Sequence, residues 1–503
     1  MSVRFRIIKD VFHYSASAYI SQAISLVGGF WVARLLGPHD FGIWNALLLV
    51  LGYGAYVEFG VLSTMGRDLP LYLGQGNLQK AAAIDGAARY TTICGAIFAF
   101  MVVLVFSFSP THSSMIAFGL RVMAFTLILQ QVYTYHRIEL RSHNHFKELS
   151  QQQVLFAIVS TGLAVLFIVF NGLKGRLIAA ILAQAIIVIY ALYRNPWQPV
   201  PKFNLSFSWS LMRVGVPILV SGFIITMLTS IDRLMVITFL GATQLGYLGL
   251  AVMLVGVVSL IPAMASQVLY PRINYHFGNT ERNIEALRSY VLIPPVILSL
   301  LLPLIIGPLY LILPVVVKNF LPAYAPGIVA ARIVVVGIFF YGILGLTDYF
   351  LVTTGKLKQY AFFGCIALVF NIVLDFLFIR MGYGIEGIAF GGTLLTYFFY
   401  SCIVIGYALS HYTRQFRDWI WFFFRLWAPF IYMLLLLWFV EKIVDYLISS
   451  HLFTDSLVTA GAKVILYLFG CLPLIYIVGR ELKLDFSRAN LVRFGILRWI
   501  VID

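Results

Sequence analysis

Long apolar blocks recur along the whole chain, separated by short polar stretches. A helix of about 20 apolar residues crosses the ~30 Å hydrocarbon core of a bilayer. The blocks predict fourteen membrane helices, at approximately Val11–Leu36, Phe41–Leu62, Ala87–Ser109, Ser114–Tyr135, Ser150–Phe170, Leu177–Tyr193, Leu211–Leu240, Leu245–Tyr270, Ser289–Leu313, Ala323–Val352, Tyr360–Ile379, Ile385–Leu409, Trp419–Val440 and Leu457–Val478. Pro217, Pro262, Pro294, Pro295, Pro303 and Pro473 fall inside them. Membrane helices tolerate such breakers where neighbours or water re-satisfy the backbone.

The polar stretches carry a second pattern. Lys and Arg concentrate in cytoplasmic loops of membrane proteins. With the N-terminus inside, the inner segments hold 25 of these residues and the outer segments 5. A missed span would reverse every later segment and erase the asymmetry. Both termini are therefore expected in the cytoplasm, with an even number of crossings. Val11–Leu36 exceeds the ~7–15-residue apolar core of a signal peptide and reads as an uncleaved first span. From Arg480 to Asp503 basic residues alternate with Leu, Phe, Ile and Trp, the pattern of a helix lying on anionic membrane lipid.

The chain also repeats itself. Leu36-Gly37-Pro38-His39-Asp40-Phe41-Gly42 is answered by Leu240-Gly241-Ala242-Thr243-Gln244-Leu245-Gly246, at an offset of 204. Pro70 with Gly76-Asn77 is answered by Pro271 with Gly278-Asn279, and Gly172-Leu173-Lys174-Gly175 by Gly384-Ile385-Glu386-Gly387. Three matches in order at nearly one offset predict two six-helix halves. Six is even, so the halves run parallel, related by an axis along the membrane normal. The expected organisation is a six-helix lobe over residues 1–205, a second over 206–412, and two further helices with the basic tail over 413–503.

Composition sharpens the class. Hydrophobic residues make up 61% of the 503 and charged residues 11%, against about 25% charged in soluble domains. The fold class is all-α and polytopic. Too little chain is left between the spans for a soluble catalytic or nucleotide-binding domain. The net charge of +15 would suggest nucleic-acid binding in a soluble chain. Here the placement of cytoplasmic loops explains most of it, and no nucleic-acid partner is expected. Cys94, Cys365, Cys402 and Cys471 lie scattered in apolar runs and predict neither a disulfide nor a metal site.

Candidate chemistry is sparse. Gly355-Lys356 lacks the upstream Gly and following Ser or Thr of a phosphate-binding loop. Gly382-Tyr383-Gly384-Ile385-Glu386-Gly387 sits in a short connection between membrane helices rather than between a strand and a helix, so it reads as a tight turn. No metal, cofactor or catalytic residue is expected. The remaining signal is charge inside the spans, where ionisable residues usually face the bundle interior or a water-filled cavity. Arg34, Arg121, Arg233 and Arg332 all fall in the outer half, in the first and fourth helices of the two repeats. Snorkelling to the interface is the alternative, and it suits Arg34 best. Asp232 adjoins Arg233 as an ion-pair or coupling candidate. Asp348 and Glu58 are further ion-pair or coupling candidates, and both lie close enough to the inner end to be ordinary interface residues. Guanidinium groups pair bidentately with phosphate, so the arginines point to an anionic substrate.

With these residues in place, the chain resembles the polysaccharide flippase family of the multidrug/oligosaccharidyl-lipid/polysaccharide exporter superfamily. The resemblance rests on Ala33-Arg34-Leu35-Leu36-Gly37-Pro38 with Phe41-Gly42, on Pro217 with Ile231-Asp232-Arg233-Leu234, and on Gly241 with Leu245-Gly246-Tyr247. It extends through Val268-Leu269-Tyr270-Pro271-Arg272, Thr354-Gly355-Lys356, Asn371 and Gly384-Ile385-Glu386-Gly387. It implies twelve core helices in two lobes around a central cavity, with two extra helices. It also implies a non-enzymatic exporter in the cell inner membrane. Its substrate would be an undecaprenyl-diphosphate-linked oligosaccharide, flipped to the periplasmic leaflet for O-antigen, capsule or exopolysaccharide assembly. The polysaccharide polymerase machinery is a further implied partner. Three alternatives fit less well. A drug/cation antiporter of the superfamily is expected to carry an acid in its first helix, and Val11–Leu36 has none. A lipid II flippase is expected to have a denser basic cluster in its first helices. A membrane glycosyltransferase or polymerase would need large outer loops and catalytic carboxylates.

Overall fold

A chain in hydrocarbon must satisfy its own backbone hydrogen bonds, and helices do this within one segment. The computed structural model describes residues 3–197, 199, 204–280, 283–345, 347–447 and 457–481, and all the regular structure among them is helical. Among these described residues, eleven helices are long and apolar enough to cross a membrane. The pattern of the sequence predicts fourteen crossings, and the difference arises at three places. Tyr14–Gly54 joins the first two predicted spans into one element that is broken at Gly37, whose φ of 73° and ψ of 171° no helix contains. Phe146–Arg194 joins the fifth and sixth in the same way across Gly172. The eighth is divided at Ser259 into Ala242–Val258 and Leu260–Asn279. Hydropathy reads residue type and does not register these interruptions of the helical hydrogen-bond ladder.

The seventh predicted span is also interrupted. Leu205–Leu228 ends at a turn over Thr229 and Ser230, and a short helix, Ile231–Phe239, follows. Asp232 and Arg233 thus open a new helix instead of sitting late in a long one. The last predicted span bends at Cys471, between Leu457–Gly470 and Leu472–Glu481. The amphipathic tail lies, beyond Glu481, outside the described residues.

The glycines of the sequence repeat do matching work. Gly37 and Gly241 both hold positive φ, at 73° and 88°, and so do Gly172 and Gly384, at 53° and 57°. Such conformations cost L-residues energy, which is the physical reason glycine stands there. In each repeat the second glycine of the Gly-x-x-Gly motif closes the bend. A side-chain carbon at Gly175 would stand 1.9 Å from the Phe167 carbonyl oxygen, and one at Gly387 would stand 2.7 Å from Phe378 Cβ.

The chain packs as two compact units, Met1–Met253 with Gly364–Ile372, and Leu254–Phe363 with Val373–Asp503. In the first, Tyr14–Gly54 runs against Phe146–Arg194 along both arms of their bends. Backbones touch where the repeat motifs meet. A side-chain carbon at Gly42 would lie 1.7 Å from the carbonyl oxygen of Ala242, and one at Gly246 would lie 1.8 Å from that of Pro38. Gly60 and Gly215 cross just as closely. Charge is buried in this unit as well: Arg89 donates to Tyr135 Oη at 3.0 Å, pairs with Asp85 at 3.4 Å and lies 4.9 Å from the centre of the Trp197 ring. In the second unit Pro322–Thr353 is the most enclosed of the crossing helices, with 72% of its apolar stretch buried.

Candidate functional site

The bend at Gly172 decides where the next helix points. Gly175 lets that helix start against the Phe167 carbonyl, and Arg176 follows at once. Its guanidinium lies 3.7 Å from the centre of the Trp44 ring, on the arm of the first helix that begins after Gly37. This is a cation–π contact at stacking distance, the geometry a planar guanidinium favours. Arg176 and Trp44 form part of the wall of a cavity of about 220 Å³ within the first unit. Ser25, Ser160, Thr161 and Asn45 add hydroxyl and amide groups, and Gly28 and Gly29 leave room beside them.

The charge of Arg176 is not matched there. None of the described residues lining the cavity is acidic. Arg176 Nε is buried with no hydrogen-bond partner among the described residues. An ionised side chain in a membrane segment is costly and usually faces the bundle interior or a water-filled cavity. A guanidinium offers five N–H donors and holds its proton at any physiological pH. The cavity is therefore suited to binding an oxyanion rather than to moving a proton. Its volume lies below the ~300–1,000 Å³ usual for whole small-molecule pockets, so it fits a phosphate-sized group and not an entire glycan.

The four arginines singled out by the repeat lie in four different settings. Arg34 is exposed, with its guanidinium 5.5 Å from the Trp31 ring. Arg121 is exposed beside Phe108, at 4.6 Å, and its Nε reaches Ser107 Oγ at 3.4 Å. Arg233 is half-buried, with Nε enclosed and lacking a hydrogen-bond partner among the described residues. Arg332, in the second unit, donates to Glu441 at 2.9 Å and stacks on Tyr310 at 4.2 Å. Its charge is thus balanced by an acid from the first of the two extra helices.

The acidic candidates separate just as clearly. Asp232 is buried and accepts a hydrogen bond of 2.9 Å from Asn371 Nδ2. Glu58 turns back, through positive φ at Phe59 and Gly60, to accept from the backbone N–H of Leu62 at 2.9 Å. It caps Val61–Gly74, a structural duty at the N-terminal end of a helix. Asp348 lies in the wall of a separate cavity inside the second unit.

Arg176 itself is absent from the candidates drawn from the sequence, because hydropathy assigns it to an outer connection. One signal marks it: the motif Gly172-Leu173-Lys174-Gly175 is followed by Arg176, whereas its counterpart Gly384-Ile385-Glu386-Gly387 is followed by Ile388. The shared bend thus delivers a cation in one repeat and a hydrocarbon in the other.

Comparison with known proteins places this geometry in a family. The family described as polysaccharide biosynthesis protein matches residues 31–321. A Shigella flexneri protein named as an O-antigen transporter is 20% identical over 321 residues, covering 60% of this chain and 75% of that protein. The teichuronic acid biosynthesis protein TuaB of Bacillus subtilis is 25% identical over 160 residues, 31% of this chain and 33% of that protein. Among solved structures, the lipid II flippase MurJ in an inward closed conformation superposes with a TM-score of 0.65 at 14% identity, over 93% of this chain and 99% of that one. An inward-facing multidrug resistance MATE family transporter of the MOP superfamily gives 0.64 at 15% identity, over 78% and 96%. At these identities the structures show a common fold. The match to the family over more than half its length settles the kinship: this multi-pass membrane chain belongs to the polysaccharide biosynthesis protein family.

Proposed function

We propose that the protein flips a polyprenyl-diphosphate-linked oligosaccharide from the cytoplasmic to the outer leaflet of the cytoplasmic membrane, by alternating access. One observation carries this reading: an Arg176 guanidinium unmatched by any acid in the wall of a phosphate-sized cavity within a polysaccharide-family fold. The diphosphate enters the cavity while the polyprenyl tail stays in lipid. Arg233, half-buried in the same unit, is a further cation in this reading. The kinship to a protein named as an O-antigen transporter and the fold shared with a lipid II flippase support a lipid-linked glycan as cargo.

The driving force follows from charge. A diphosphodiester carries about two negative charges, and leaving an inside-negative cell gains about 4.6 kcal/mol per 100 mV. That is a bias of more than a thousandfold, so the membrane potential suffices. The test is flipping of a polyprenyl-diphosphate oligosaccharide in proteoliposomes with equal pH and Na⁺ on both sides. Imposing a potential, negative on the loading side, is expected to drive accumulation in the opposite leaflet. Indifference to the potential, with transport following a pH gradient alone, would replace this account by proton antiport.

The orientation belongs to the same proposal. Reporter fusions after Tyr193 and Leu409 are expected to read as cytoplasmic, and fusions at Thr111 and Ser450 as periplasmic. A reversed sign at Ser450 alone, with Leu409 unchanged, would remove the crossing between them, the first of the two extra helices.

A further inference from the structure

The second unit contains a cavity that the anion site does not use. Its volume is about 380 Å³. Two helices build most of it with one face each. Tyr341, Gly345, Asp348, Tyr349 and Val352 recur at helical spacing along Pro322–Thr353, and Ser259, Pro262 and Ser266 do so along the facing segment. Tyr360 closes it from the start of Leu357–Arg380. Gly345 lets the facing segment come close, since an added side-chain carbon there would stand 3.3 Å from Ser266 Oγ and 3.4 Å from Pro262 Cβ.

The chemistry of this wall differs from that around Arg176. It presents tyrosines, serine hydroxyls and one carboxylate, and no Lys, Arg or His lines it among the described residues. The Tyr360 hydroxyl reaches the Asp348 carboxylate. Asp348 Oδ1 is enclosed with no hydrogen-bond partner among the described residues. Tyr349 is braced from behind by Tyr270, with ring centres 4.4 Å apart, so its orientation is fixed before anything binds. Ser266 donates to the Gly345 carbonyl at 2.9 Å and keeps its own lone pairs free to accept.

Aromatic rings with polar tips, a carboxylate short of a donor and hydroxyl acceptors suit a ring that is apolar on its faces and rich in O–H donors at its edge. That ring is a sugar. A bare cation would need several oxygens at about 2.0–2.6 Å, and this space is too large for that. We propose that the cavity holds a sugar ring of the transported glycan, and that Asp348 selects neutral or amino sugars against acidic ones. The assignment rests on the flippase reading for its cargo, but not for its chemistry. A site with an unpaired acceptor favours a hydroxyl or ammonium donor and disfavours a second carboxylate, which brings further acceptors and no donor.

The test uses soluble probes that have neither lipid nor phosphate. Saturation-transfer NMR is recorded on the full chain in lipid nanodiscs, with millimolar N,N′-diacetylchitobiose or digalacturonic acid. The neutral disaccharide is expected to receive saturation and the acidic one to receive at least fivefold less. Asp348→Asn, nearly isosteric, is expected to remove that preference. Tyr349→Ala is expected to lower the neutral signal at least fivefold. Thermal unfolding of each variant separates lost binding from lost fold, and Asp348→Asn alone decides if Tyr349→Ala does not fold. Equal signals from the two disaccharides, or a preference unchanged in Asp348→Asn, would overturn the proposal. So would a variant that binds sugar normally but loses a dependence of transport on Na⁺ or pH, because the cavity would then be a cation site. If lipid-linked glycan is flipped while neither probe binds, this inference fails and the flippase reading stands. If chitobiose binds with the expected pattern and no glycan is flipped, the flippase reading fails and the sugar site stands.

Discussion

Arg176→Ala is expected to abolish glycan export in cells lacking their own flippase, while the protein accumulates in the membrane at near-normal levels. The side chain makes no ion pair with the acid-free wall of its cavity, so its removal leaves no buried carboxylate stranded. What it loses, on the proposed function, is its hold on the anion. Truncating one member of a desolvated charge pair costs about 2–5 kcal/mol, which is a loss of at least about thirtyfold. Arg176→Lys keeps the charge and loses the planar fork and its stacking on Trp44, so only partial recovery is expected. Arg34→Ala and Arg121→Ala are the controls. Both side chains are exposed over rings of their own helices' surroundings, and their loss is expected to leave most export intact. Full complementation by Arg176→Ala, measured as surface glycan per unit of membrane protein, would remove the anion site from the mechanism.

The second large effect is on folding. Gly42→Val and Gly246→Val are each expected to reduce the folded protein in the membrane to a small fraction of normal. The first added carbon already stands 1.7 Å from a carbonyl oxygen in one case and 1.8 Å in the other. Both obstacles are backbone, so a rotamer change gives no relief. Overpacking a core costs about 1–3 kcal/mol when side chains can yield, and here the helices themselves must separate. Gly37→Ala provides the contrast. No atom lies within 4 Å of a carbon added there, and only the conformation opposes it. An L-residue at φ 73°, ψ 171° costs about 1–3 kcal/mol, so this variant is expected to fold with a lowered melting temperature. Equal abundance of Gly42→Val and Gly37→Ala would contradict the close approach of the two helices.

The sequence announces the membrane class and the all-helical fold, because both are written in residue type and spacing. Hydrophobic blocks need no partner to be recognised, and the paired glycines at 37 and 241, and at 172 and 384, stand at bends that only glycine adopts easily. The site is less legible. Arg121 and Arg332 occupy matching helices of the two halves, yet one rests beside Phe108 and the other pairs with Glu441. Glu441 belongs to a helix outside the repeat, so internal symmetry cannot foretell the pair. Arg176 is hidden for a different reason. Counting charges places it in a loop, whereas Gly175 packed on the Phe167 carbonyl turns it onto Trp44. Glu58 likewise acquires its capping role only through the positive φ of Phe59 and Gly60. In these last two cases the deciding fact is a backbone direction, which composition does not carry.

Gly42 meets Ala242, and Gly246 meets Pro38. Under the offset of 204, Gly42 becomes Gly246 and Pro38 becomes Ala242, so the two contacts exchange into each other. Residue i touching j while the copy of i touches the copy of j in return is the mark of an isologous, two-fold interface. One surface uses such a contact twice, so a single substitution at either glycine opens half of the seam and leaves the other half under strain.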